Sequence, residues 1–292
     1  MNKHVIKYLA VSIFLLLPLP LFAKGASLRL LSGSGVYKVG SPFKVRVSLN
    51  SGGGVGVNAG ESGIKFDPAY FKINKISTDN SIYKLWAEKP SFVSKTGTVF
   101  FRGGIPAGSY KGSAGKLFEI ELTPLKKGKT NAEFTSSILL SADGKGKNIT
   151  ESSPKAKYII GSTKEVTASI DLVNKLVGRI LLQVEKNGEA WYIYPKDAKR
   201  YYLGRPDDAF SIMRNLGLGA THKYITSYKT YPKNMLGKIL LDVEKNGEAY
   251  YINPVDKKGY YLGRPADAFA IMRKLGLGIS DDTLDRIPDW AI

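Results

Sequence analysis

Glu119 and Glu121 stand two apart in KLFEIELTPL, the spacing that puts two carboxylates side by side on one face of an extended strand. Paired carboxylates hydrolyse glycosidic bonds, one giving a proton while the other attacks or activates water. The same spacing also describes the solvated outer face of an ordinary strand. Histidine chemistry is scarce, because the chain has two histidines, His4 in an apolar leader and His222 in a connector. A Ser-His-Asp relay would depend on that one loop histidine, and a histidine zinc site fails on count. No cysteine occurs, which removes thiol nucleophiles, thiolate metal sites, disulfides and a lipid-modified cysteine. DGKGKN around Asp143 lacks the spacing of a phosphate loop. The reading is a non-catalytic chain with no catalytic residue, metal or cofactor to assign.

A second group of residues suits binding. Trp191, Tyr192, Tyr201 and Tyr202 precede Arg205, and Tyr250, Tyr251, Tyr260 and Tyr261 precede Arg264. Aromatic faces stack on sugars, and arginine forks onto carboxylate or phosphate. These ten residues are the candidate ligand contacts. Period-two alternation in AWYIY sets Trp191 and Ile193 on one face and Ala190, Tyr192 and Tyr194 on the other. One face must pack under a helix, so about half the rings belong to a core.

These residues sit in a phrase written twice. Gly178–Gly219 and Gly237–Gly278 share 32 identities in 42 positions, at a period of 59 residues. ILLQVE alternates as a strand, and Asn187-Gly188 suits the positive φ of a type I′ hairpin. Strands AWYIY and RYYLG follow, and Pro206 opens a helix that Gly217 closes. The expected unit is a three-stranded meander with a helix across it, βββα, as repeat 1 (178–219), a connector (220–236), and repeat 2 with a C-terminal tail (237–292). A unit this short is marginal alone. Each copy is expected to borrow flanks, IDLVNKLV before the first and DTLDRIPDW after the second, with some contact between copies. Doubling a weak site raises avidity without new contacts.

The elements before the repeats are simpler. Residues 1–23 read as a secretory signal, with Lys3 and Lys7 ahead of the apolar run Tyr8–Phe22 and a small residue at Ala23. No later stretch is apolar enough to span a bilayer, so no transmembrane anchor follows cleavage. Residues 27–161 hold eight or nine short strands. In PFKVRVSLN, Phe43, Val45, Val47 and Leu49 share a face; Phe118, Ile120 and Leu122 do the same in KLFEIELTPL. That pattern predicts a mainly β fold, an antiparallel jelly-roll sandwich. Residues 162–177 read as a linker. The formal charge is +18, with 20 basic and 9 acidic residues between Ser27 and Ile160. A basic exported domain suits polysaccharide or an anionic cell-envelope polymer, and the signal argues against nucleic acid.

GSPFKVRVSLNS, then VNAGESGIKFDPAYFKINKI, then SADGKGKNIT resembles a cohesin-type domain over residues 27–161. The resemblance implies a jelly-roll binding module: cohesins hold dockerin domains, and structural relatives bind polysaccharides. No DxDxDG calcium-loop spacing occurs, so the chain carries no dockerin of its own, and no planar aromatic strip is assignable to a sugar chain. The doubled phrase resembles a short tandem module at the C-termini of exported proteins from uncultivated, small-genome bacteria, which implies a context and no activity. The expected function is a secreted, cell-surface binding protein whose cohesin-like sandwich holds glycan while the repeats attach it to the surface. The alternative is a protein–protein recognition module within an extracellular multi-protein assembly. A glycoside hydrolase using Glu119 and Glu121 comes third.

Overall fold

The computed structural model describes residues 25–32, 35–52, 54–151, 153–185, 188–203, 206–263 and 265–290. The signal 1–23 lies outside the described residues, as do Asn187, Arg205 and Arg264. Alternating apolar positions build β1 (Ser27–Leu31), β2 (Gly35–Lys38), β3 (Phe43–Asn50), β4 (Val57–Phe66) and β5 (Phe71–Ser77). They continue with β6 (Leu85–Val93), β7 (Thr98–Gly104), β8 (Gly115–Pro124), β9 (Gly128–Ser141) and β10 (Ala156–Gly161). One sheet runs β1-β3-β8-β5 and the other β2-β10-β9-β4-β7-β6. Pairing is antiparallel except where β2 joins β10.

The inward positions are those the alternation marks. Val45, Val47, Leu49, Phe118, Ile120 and Leu122 are fully buried between the sheets with Ile64 and Phe66. Register places Val45 opposite Ile120 and Val47 opposite Phe118, so one face of each strand is committed to the core. Phe101 and Phe118 meet at 5.0 Å and Phe71 and Tyr158 at 5.0 Å, both edge to face, which holds the sheets apart at ring width. Each such side chain contributes roughly 1.5–3 kcal/mol by burial.

Residues 162–177, expected as a linker, form helix α1 (Thr163–Leu176). Ser162 caps it, its hydroxyl accepting from the Glu165 amide at 3.4 Å while Glu165 accepts from the Ser162 amide at 2.6 Å. Val173 and Leu176 are the buried stripe. Ser162→Ala is expected to lower the stability of the C-terminal module by about 1 kcal/mol, read as a shift in its urea midpoint.

The first copy supplies β11 (Ile180–Gln183), β12 (Ala190–Ile193), β13 (Arg200–Tyr202), α2 (Pro206–Leu216) and β14 (Leu218–Ala220). Helix α3 (His222–Thr226) and a 3-10 turn, Lys233–Met235, occupy the connector. The second copy gives β15 (Ile239–Asp242), β16 (Glu248–Ile252), β17 (Gly259–Tyr261), α4 (Pro265–Leu275) and β18 (Leu277–Ile279), followed by α5 (Asp281–Leu284) and β19 (Asp289–Trp290). Asn246 and Gly247 take φ of 54° and 75°, as a type I′ turn needs. The ladder nevertheless stops at the Asp242–Glu248 pair, because the Asp242 carbonyl accepts the Gly247 amide at 2.9 Å, so the loop has more than two residues.

The helix does not lie across its own meander. The two remaining sheets run β18-β11-β12-β13-β19 and β14-β15-β16-β17, so each copy's post-helix strand completes the other copy's sheet in parallel. Helix α2 packs on β15 and α4 on β11, with the two helices side by side. The exchange follows the 59-residue period throughout. A Cβ on Gly217 would meet Leu241, and one on Gly276 would meet Leu182. The Tyr192 hydroxyl donates to the Gly237 carbonyl at 2.6 Å and Tyr251 to that of Gly178 at 2.7 Å. The flanks contribute as well: Val173, Leu176, Leu284 and Ile287 close a core with Leu181 and Ile193.

Candidate functional site

The candidate rings divide by burial. Tyr192, Tyr201 and Tyr251 are 1–2% exposed, which removes them as ligand contacts. Their period-two positions face the shared helix layer, where burial, with neighbouring tyrosines and Asp197, drives the Tyr192 hydroxyl far above its ordinary pKa. Tyr201 donates to Asp197 at 2.5 Å and Tyr260 to Asp256, so both hydroxyls fasten the turn between their own strands. Arg205 and Arg264 belong to the segments that lie outside the described residues.

The outward rings differ between copies. Trp191 and Tyr202 pair at 4.9 Å, with the Arg200 guanidinium over Trp191 at 4.7 Å and Arg29 of β1 over Tyr202 at 5.9 Å. That pair therefore faces the sandwich. Tyr250 and Tyr261, at the same positions of the second copy, pair at 5.1 Å; Tyr250 packs against Ile225, Tyr231, Leu240 and Ile252, and Tyr261 is exposed. Burial and the Glu248 carboxylate push the Tyr250 hydroxyl up to about 12.

Arg200 is the buried charge that motif reading passed over. Its guanidinium is buried, donates to the Leu284 carbonyl at 2.6 Å and lies 3.8 Å from Asp285. Asp285 in turn pairs with Lys157 of β10 at 2.9 Å, and Asp282 with Lys129 of β9 at 2.7 Å. The Ser32 amide donates to the Asp289 carbonyl at 3.2 Å. The C-terminal segment thus ties the module to the β1–β2–β10 side of the sandwich. The only signal available in the sequence was that the second copy has Gly259 where the first has Arg200.

Glu119 and Glu121 do lie on one face, as their spacing requires, each among basic side chains. Lys116 reaches Glu119 at 3.1 Å and Arg46 at 3.8 Å, while Lys75 reaches Glu121 at 3.5 Å. Carboxylates held in ion pairs with lysine and arginine are not free to act as the acid and the nucleophile of a glycosidase. His222 accepts or donates at Asp242 over 2.6 Å and its amide donates to Glu244, which orders the connector. Burial alone would raise the Asp242 carboxyl, yet the His222 and Glu244-amide hydrogen bonds outweigh it and hold it low. Among the described residues no three His, Asp or Glu side chains group as a metal site.

An exposed apolar surface lies on the outer face of β9-β4-β7-β6. Register lines up Ile138, Glu61, Arg102 and Glu88 across the four strands. The rows on either side bring Leu140, Ala59, Gly104 and Leu85, and Ser136, Gly63, Phe100 and Ser91. Leu85, Val93 and Ile138 are 62%, 57% and 39% exposed, and the Arg102 Nε donates to Glu61 between them. Beside this face an open depression of about 360 Å³ is lined by Lys65, Asp67, Thr130, Asn131, Glu133 and Lys155 among others.

Residues 30–160 match the family model of the cohesin domain. Among solved structures, a type I cohesin–dockerin complex from Clostridium thermocellum is 18% identical, covering 46% of this chain and 99% of that one, with a TM-score of 0.38. The cohesin module of a family 33 glycoside hydrolase from Clostridium perfringens is also 18% identical, covering 48% and 98%, at 0.37. A non-cellulosomal cohesin from the archaeon Archaeoglobus fulgidus is 12% identical, covering 49% and 96%, at 0.40. No curated protein matches the chain.

Proposed function

We propose that the cohesin domain of residues 30–160 is a protein-recognition module of an extracellular assembly, and that the tandem module after it provides attachment. A cohesin domain is a non-catalytic protein–protein recognition module, and that favours a protein partner over the glycan that composition first suggests. The observation that carries the reading is the β9-β4-β7-β6 face. Aliphatic side chains stand exposed around one charge pair, the make-up of a recognition patch with an apolar centre and a polar rim. A sugar platform would need a row of flat rings, and this face is chiefly aliphatic. By analogy with the cohesin family, a dockerin-like domain on another chain is the partner class. Export follows from the leading apolar segment Tyr8–Phe22, and no described helix is long and apolar enough to cross a membrane.

The test is capture on immobilised mature chain, offering an extracellular protein fraction and cell-wall polysaccharide in parallel. A protein should be retained, and Ile138→Asp or Leu85→Asp should weaken its capture about tenfold or more, as loss of a central apolar contact does. Glu119→Gln with Glu121→Gln should leave capture unchanged. Retention of polysaccharide alone, insensitive to Ile138→Asp, overturns the reading.

A further inference from the structure

The exchanged strands show that the structural units of the C-terminal module are offset from its sequence repeats. Helix α2, β14 and the meander β15-β16-β17 are contiguous, residues 206–261, and this inner unit closes on itself. The outer unit is split: its meander β11-β12-β13 lies before the inner unit, and α4, β18, α5 and β19 lie after it. Every copy hands its helix and following strand to a neighbouring meander. The helix and strand of the second copy complete the meander of the first, and the two copies close as a ring.

The closure is symmetric in chemistry as well as in backbone. The Asp281 amide donates to Glu185 at 2.7 Å as the His222 amide does to Glu244 at 2.9 Å. The Gln183 amide group donates to Asp281 at 2.5 Å where Asp242 meets His222 at 2.6 Å. Nothing in these contacts requires the acceptor meander and the donated strand to belong to one chain. Joined ends face each other at an effective concentration on the order of millimolar, which favours closure within one molecule in dilute solution. We propose that the β18–α5–β19 segment is an exchangeable joint, and that it completes the β11-β12-β13 sheet of a second copy of this chain when molecules are crowded or when self-closure is blocked. A heterologous contact of this kind closes as a dimer when two chains exchange reciprocally.

Two full-length variants test it by complementation. Leu181→Asp disables the acceptor, since Leu181 is fully buried opposite Leu277, and Leu284→Asp disables the donor, since Leu284 is 1% exposed in the same core. Neither closes on itself, but the intact donor of the first fits the intact acceptor of the second. Mixing them should give a one-to-one heterodimer at micromolar concentration, with self-association of either at least tenfold weaker. Ile279→Cys added to the first and Gln183→Cys to the second place a register pair across the joint, in a chain with no other cysteine, and should link the two covalently. A mixture that stays monomeric, or that associates without the cross-link, overturns the proposal. Should a variant fail to fold, the chain carrying both cysteines alone decides the matter. Refolded at rising concentration it should form a growing fraction of linked dimer, and purely intrachain linkage at every concentration overturns the proposal.

Discussion

Gly237→Val should destabilise the C-terminal module by about 4 kcal/mol while leaving the unfolding of the sandwich unchanged. Gly237 has φ +77°, and a Cβ there would lie 2.4 Å from the Gly178 Cα and 3.1 Å from its carbonyl. A left-handed backbone at a side-chain-bearing residue costs about 1–3 kcal/mol, and forcing atoms into a packed site adds about 1–3 kcal/mol more. The clash is backbone against backbone, so no rotamer relieves it. Shifting either chain also breaks the reciprocal tyrosine bonds, since Tyr192 donates to the Gly237 carbonyl and Tyr251 to that of Gly178. Gly178→Val should behave alike, because a Cβ there meets the Gly237 Cα at 2.6 Å. Gly188 is the control: its φ is +72° but nothing stands within 4 Å of its Cβ, so Gly188→Ala should show only the backbone cost, about 1 kcal/mol. Urea titrations that resolve the module's transition from that of the sandwich read all three. Equal losses at Gly237 and Gly188 would mean that the two copies do not meet through these glycines.

That contact also shows what a sequence does and does not disclose. The strands of the sandwich were legible because a half-buried strand writes its core face at every second residue, as Val45, Val47 and Leu49 do. The linker reading failed for a different reason. The apolar stripe of α1 is short and follows a polar turn, although Ser162-Thr163-Lys164-Glu165 carries the S-x-x-E capping signature that the structure uses. The doubled phrase reported its own strands and helices, yet pairing across 59 residues leaves no local trace, so the exchange of β14 and β18 could not be read. The few positions where the copies differ are informative in retrospect. Trp191 and Tyr250, and Arg200 and Gly259, are equivalent pairs in which the first-copy members lie beside the sandwich and its tether, while Gln183 and Asp242 differ with their partners, Asp281 and His222. Among the candidate contacts, alternation correctly divided the rings into two faces, and it had no means of telling which outward pair a neighbouring domain would cover.

Arg200→Met should release the C-terminal segment and lower module stability by about 3 kcal/mol. Burial pulls the guanidinium below its ordinary pKa while Asp289 and Asp285 push back, and an arginine so paired stays charged. Its removal takes the guanidinium donor from the Leu284 carbonyl, which keeps only the Ile287 amide at 3.1 Å, and strips the face of Trp191. Breaking a buried charge pair costs about 3–5 kcal/mol, and the lower end applies here because Asp285 keeps Lys157 at 2.9 Å. Arg200→Lys should recover only part of the loss, since an ammonium cannot both reach the Leu284 carbonyl and lie flat over an indole. The readout is hydrogen exchange at Leu284 and Ile287, whose amides close on Ser280 and Leu284; both should exchange faster in the variant, with the Val45 and Val47 amides unchanged. The consequence for recognition is specific. The segment touches the sandwich through Lys129, Lys157 and Ser32, on the flank away from Leu85 and Val93. Freeing it changes how the sandwich is held and leaves the β9-β4-β7-β6 face intact, so partner capture by Arg200→Met should match the wild-type chain. A loss of capture as large as that of Ile138→Asp would instead place part of the recognition surface on the C-terminal segment itself.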